Sequence, residues 1–220
     1  MFNKHSKVTM VGGVIVSKDK ASKIRELTIL AVLTAIMLVI TIAPVGFPVL
    51  GVVRGTIMAI PVAVGAAVTK TMRGAIYMGV MFGIASFLQI VFNPMHATIV
   101  LWGLNPLFYT IMCIVPRVGV GVVAGLTTKL VNKTNKLGKY SLVGFATSLS
   151  NSILFLTFMF LLFLPYVGTA VELESGGMGS FMLGSVFFFV PLIIFEAIAA
   201  VVIVEPLMRA INKSKEIGTA

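Results

Sequence analysis

The stretch CIVPRVGVGVVAGLTTKL, Cys113 to Leu130, decides how the chain folds. Its run of apolar residues and glycines would pass as a membrane-spanning helix, were it not for one arginine, Arg117, directly after Pro116. A central arginine in a bilayer carries a penalty of at least about 2.5–3.5 kcal/mol, so this one must face inward and find partners. Pro116 also lacks an amide hydrogen, which kinks the helix and leaves a free carbonyl on the preceding turn.

The rest of the sequence agrees with a membrane setting. Of 220 residues, 58% are hydrophobic and only 11% charged, the composition of an all-α polytopic membrane protein. A span takes roughly 20 apolar residues, so the chain holds about six and leaves no room for a soluble catalytic or nucleotide-binding domain. The net charge of +10 does not point to nucleic acid, because the basic residues flank apolar segments instead of forming one stripe. Cys113 is the single cysteine and can form no intrachain disulfide.

Charge, proline and glycine divide the chain into six apolar segments. They run from Glu26 to Ala43, Gly51 to Thr69, Met72 to Phe92, Pro106 to Val131, Tyr140 to Leu164 and Gly184 to Met208. Residues 1–25 read as a retained basic N-terminal tail, 26–208 as a six-helix membrane domain and 209–220 as a C-terminal tail. All 17 basic residues except Arg54 and Arg117 fall in the tails or in alternate connections. The opposite connections, PVGFPVL, NPMHATIVLWGLN and PYVGTAVELESGGMGS, hold none. Both termini are therefore expected on the cytoplasmic side. Glycines within the spans, including Gly79, Gly83, Gly119, Gly121 and Gly125, suit close helix packing; Gly121 and Gly125 have the small-xxx-small spacing.

Counting along the helices places Arg117 eleven residues after Pro106, roughly 17 Å deep at 1.5 Å per residue. Asn151 lies equally far from Tyr140, with Ser148 and Ser152 on its face, and Glu196 comes twelve residues after Gly184. Three helices thus carry a polar group at one depth. Two roles fit it: a buried Arg117–Glu196 ion pair pinning two helices, or the floor of a cavity open to the outside whose planar arginine donors meet a carboxylate or ring oxygen. Nearer the outer surface, FNPMHATIVLWGLNPLFY supplies Asn93, His96, Trp102, Asn105 and Tyr109, and is apolar enough to dip into the membrane or cap a pocket. Arg54, one turn into the second segment, either snorkels outward or draws an anion inward. No metal-ligand spacing, phosphate loop or nucleophile–base pairing is present, so neither cofactor nor catalysis is expected.

In order and spacing, LTILAVLTAIMLVI, IPVAVGAAVTKTMRGAIYMGVMFGIASFL, PRVGVGVVAGLTTKL and TSLSNSILFL resemble the substrate-binding S components of energy-coupling factor (ECF) vitamin transporters. The resemblance covers nearly all of Glu26 to Met208, within the group that includes pantothenate and folate binders. It implies a six-helix, non-catalytic bundle in the bacterial cytoplasmic membrane. Such a bundle captures a vitamin outside and topples to deliver it, driven by a membrane T component and two ATPase subunits that hydrolyse the ATP. The positions matching the family's small-residue contact with the T component are Ala31 and Ala35. Two departures stand out: residue 59 is alanine where relatives often carry a polar group, and the turn after the second segment reads Thr69-Lys70-Thr71.

Pantothenate is the preferred ligand, a small hydroxylated amide with one carboxylate that suits Arg117 and Asn151. Folate or riboflavin would call for more stacking side chains than Trp102 and Tyr109 supply, and a pyrimidine precursor of thiamine is a further alternative. A self-sufficient secondary transporter is the reading from another class. Against it stand the lack of an inverted repeat and a single midplane carboxylate, Glu196.

Overall fold

A computed structural model of the chain describes residues 8–11, 14–43, 49–50, 53–54, 57–94, 96–133, 138–166 and 178–217. Among them, seven α-helices form the body: α1 (Lys18–Ile42), α2 (Ala59–Thr69), α3 (Met72–Phe92), α4 (His96–Leu104), α5 (Pro106–Asn132), α6 (Lys139–Phe163) and α7 (Met178–Ile217). Two antiparallel hairpins add to them, β1 (Val8–Val11) with β2 (Val14–Ser17), and β3 (Val49–Leu50) with β4 (Val53–Arg54). A 3-10 turn, Leu164–Tyr166, follows α6.

Four of the helices, α1, α3, α5 and α6, are long and apolar enough to cross a membrane. Their outward faces agree with that role: Leu27, Val39, Val91, Leu130, Leu142 and Leu161 are all more than half exposed. In water such a surface would associate, whereas lipid solvates it.

The second expected segment is corrected. Gly51 to Thr69 is not one helix: Val49–Leu50 pairs with Val53–Arg54, and helix begins only at Ala59. The resulting α2 has 11 residues, too few to span a bilayer, and every one of them is buried. An apolar helix of that length is a core element rather than a lipid-facing one. It touches α1, α3, α5, α6 and α7 and forms the centre of the bundle. Regular structure also extends beyond the apolar segments at both ends. Val8–Ser17 holds a hairpin, α1 starts at Lys18 rather than Glu26, and α7 runs 40 residues to Ile217, beyond Met208. Lysine, glutamate and asparagine are sound helix formers or neutral at exposed positions, so nothing stops these helices where the apolar stretch ends.

Some helix ends are capped locally and others from distant parts of the chain. Thr71 caps α3 by accepting from the Gly74 amide at 3.2 Å. Lys70 ends α2 in the left-handed region, φ 54°, which closes the connection to α3 within two residues. α6 starts at Gly138, φ 82°, and has no cap of its own. Glu205 of α7 serves instead: its Oε2 accepts from the amides of Tyr140 and Ser141 at 2.9 and 3.2 Å, while Oε1 accepts from Arg209 Nε at 3.0 Å. Negative charge at a helix N-terminus satisfies orphan donors and suits the dipole.

The tightest packing is between α3 and α5. A Cβ added at Gly79 would stand 2.7 Å from the Arg117 carbonyl oxygen, and one at Gly121 would stand 2.5 Å from the Ala75 carbonyl oxygen. Gly83 meets the Ile114 backbone and Gly125 meets Met72 and Ala75, so glycines four apart on both helices line one seam. The packing role expected for Gly121 and Gly125 is what they have. Gly144 does the same between α6 and α7, against the Ala200 carbonyl at 2.9 Å.

Gly121→Ala drives a methyl into backbone and is expected to destabilise by about 1–3 kcal/mol. Gly119→Ala meets only the tip of Leu154, at 2.9 Å, and should shift the detergent melting temperature far less. Equal shifts for the two variants would contradict the seam.

Candidate functional site

Two apolar clusters fill the bundle. One surrounds α2 and draws on α1, α3, α5, α6 and α7. The other holds Leu101, Tyr109, Met112, Cys113, Met159 and Phe163 and is rich in aromatic rings. Between them lie the buried polar residues Arg117, Ser148, Asn151, Ser152 and Glu196, from α5, α6 and α7.

Arg117 is 8% exposed and is held within its own helix. Its Nη1 donates to the Met112 carbonyl at 3.0 Å, five residues back. Met112 is the residue whose carbonyl the amide of position 116 would ordinarily occupy, and Pro116 has no amide hydrogen. Two rings flank the guanidinium, Phe82 of α3 with its centroid 5.6 Å from Cζ and Phe155 of α6 at 4.6 Å. The Nε is buried with no acceptor among the described residues.

Asn151 lies one helical turn before Phe155 on α6, so it belongs to the same layer; its Oδ1 is buried without a donor among the described residues. Ser148, a turn earlier, donates to the backbone carbonyl of Glu196 at 3.4 Å and ties α6 to α7. Glu196 of α7 is 4% exposed. Arg117, Asn151 and Glu196, which depth counting put together, are all buried, and the rings of Phe82 and Phe155 beside Arg117 were in no expectation. An aromatic residue one turn from Asn151 was the available signal for Phe155; Phe82 had none.

The third-to-fourth connection divides into separate duties. Trp102 of α4 meets Phe87 and Tyr109 edge to face, at 6.0 and 5.8 Å between centroids, which seats the short helix on α3 and α5. Tyr109 is buried beneath it. Asn105 is the N-cap of α5: its Oδ1 accepts from the amides of Leu107 and Phe108, both at 3.1 Å, and its Nδ2 donates to the Tyr166 hydroxyl at 3.0 Å. Pro106 follows at the first helical position, where a missing amide hydrogen does no harm. Asn93 closes α3 and donates through Nδ2 to the carbonyls of Thr41 and Ile42, at 2.6 and 3.2 Å, capping α1. Both asparagines, expected as ligand contacts, thus hold helix ends. His96 opens α4 and Arg54 closes β4, instead of lying within a helix. The side chains of His96 and Arg54 lie outside the described residues. Ala31 and Ala35 are exposed on α1. Among the described residues no group of histidine, cysteine or acidic side chains could hold a metal ion.

With this geometry in place, comparison with known proteins is informative. The chain is similar to a pantothenic acid transporter. That protein, PanT of Lactococcus lactis subsp. cremoris (strain MG1363), is 28% identical over 216 residues, covering 89% of this chain and 98% of the relative. No family model matches the chain. The similarity runs along most of the length of both proteins.

Asn105→Ala is expected to destabilise the protein by about 0.5–2 kcal/mol through loss of the cap. Asn105→Asp keeps the accepting oxygen and should recover most of the melting temperature in detergent; no recovery would mean that the Tyr166 contact, not the cap, is what matters.

Proposed function

We propose that this chain is the substrate-capture component of an ECF-type importer and that it takes up pantothenate. The observation that carries the reading is that, among the described residues, a buried guanidinium nitrogen of Arg117 has no acceptor and a buried amide oxygen of Asn151 has no donor. A ligand that satisfies both needs an anionic acceptor and a neutral donor. Pantothenate offers a carboxylate together with amide and hydroxyl hydrogens. Buried polar groups without partners are costly, so a ligand that pairs with both groups gains affinity from them. The similarity to a pantothenic acid transporter points to the same chemistry.

In this reading the ligand enters from the face opposite the basic connections, beside α4. Arg117 takes the carboxylate, Asn151 the hydroxylated end, and Glu196 with Ser148 shapes the α7 side. The wedge of Trp102, Phe87 and Tyr109 bounds the entrance. Ala31 and Ala35 lie on the α1 face that would meet the membrane T component, and ATP hydrolysis takes place in the partner ATPases. Both termini lie in the cytoplasm.

Equilibrium binding of radiolabelled vitamins to the purified protein tests the substrate. Sub-micromolar affinity for pantothenate is expected, and affinity for folate with none for pantothenate overturns the assignment. Arg117→Ala should weaken pantothenate binding by about 30-fold or more, as loss of one partner of a buried charge pair does, with a smaller effect on thermal stability. Should Arg117→Ala unfold the protein and Glu196→Gln restore fold and affinity together, the arginine serves a structural ion pair instead. Vesicles holding this protein alone are expected not to accumulate pantothenate under an ion gradient; accumulation would make it a secondary transporter coupled through Glu196.

A further inference from the structure

The Arg117 side chain runs back along its own helix. Helical side chains tilt toward the N-terminus, so a long one reaches the carbonyls of the preceding turns. In an unbroken helix those carbonyls are already engaged by amides four residues on. At Met112 the expected donor would be the amide of residue 116, and that residue is proline. The one carbonyl that the proline leaves open is the one that Arg117 Nη1 occupies, at 3.0 Å.

We propose that Pro116 is a positioning residue for ligand recognition: it withholds a backbone amide so that the Met112 carbonyl can fix the guanidinium in one orientation. The inference rests on the reading of Arg117 as a carboxylate binder. With one η nitrogen tied to Met112 and rings of Phe82 and Phe155 alongside, the guanidinium plane is set before any ligand arrives. The donors left over lie in that plane, which fits a planar carboxylate met edge to edge. Orienting the group in advance reduces what binding must order. An amide at position 116 would compete for the same carbonyl, release the guanidinium to rotate and blur the match.

The test uses the full chain in detergent with Pro116→Ala, and Pro116→Gly as a second route to the same amide. Five arginines are present, and loss of one signal set in Arg117→Lys assigns its side-chain nitrogens in spectra of protein labelled with 15N-arginine. Separate Nη1 and Nη2 resonances are expected in the unsubstituted protein, reporting hindered rotation, and they should merge in both Pro116 variants. Affinity for pantothenate should fall about tenfold, the worth of one modest hydrogen bond. Affinity for panthenol, the alcohol that lacks the carboxylate, should not change. A proline that merely shapes the helix would shift thermal stability without merging the resonances. Resonances that stay separate in either variant, or equal losses for pantothenate and panthenol, overturn the proposal. If the unsubstituted protein binds no pantothenate, the functional reading fails by itself, and the arginine resonances still decide whether Pro116 orients Arg117.

Discussion

The contact between Gly79 and Gly121 sets the geometry of everything around it. Without side chains there, the backbones of α3 and α5 meet, and a Cβ on either glycine would strike a carbonyl of the other helix. Phe82 stands one turn from Gly79, and Arg117 one turn from Gly121. Bringing the two glycines together therefore brings the ring to the guanidinium. α6 completes the site from the other side, where Leu154 reaches Gly119 and Phe155 reaches Arg117. The polar layer is thus built by backbone approach, with few polar contacts needed to hold it. That suits a membrane, where packing rather than hydrophobic exclusion drives helices together.

Magnitudes explain how a buried arginine is tolerated. A central arginine costs at least about 2.5–3.5 kcal/mol on insertion scales. A hydrogen bond to a charged group returns about 1.5–3 kcal/mol, and each desolvated ring contact about 0.5–2 kcal/mol. One carbonyl and two rings can offset the lower estimate without a full counter-ion. The hydrogen bond from Arg117 Nη1 that fixes the guanidinium is accepted within its own helix. The fold can hold the arginine in place and still leave some of its donors for another use.

Much of this was legible in the sequence. α3 occupies Met72–Phe92 as expected, and α5 begins at Pro106, because proline, asparagine and charge mark those ends clearly. Depth counting put Arg117, Asn151 and Glu196 together because the rise per residue is fixed, and all three are buried. The second segment failed because an apolar run does not tell a strand from a buried helix, and Val49, Leu50, Val53 and the residues of α2 read alike. Asn105 carried a local signal for its capping role, since asparagine directly before proline is an N-cap pattern. Asn93 and Glu205 could not have been read: each caps a helix distant in sequence, which only the tertiary arrangement discloses.

Glu205 bears on how the protein is made. A ribosome delivers α6 before α7, so the amides of Tyr140 and Ser141 emerge before the carboxylate that accepts from them at 2.9 and 3.2 Å exists. Gly138 brings no side chain of its own to stand in. The first turn of α6 therefore waits for its carboxylate cap until Glu205 has been made, 65 residues after Tyr140. Synthesis of Glu205, rather than of α6 itself, supplies the cap that closes this end of α6.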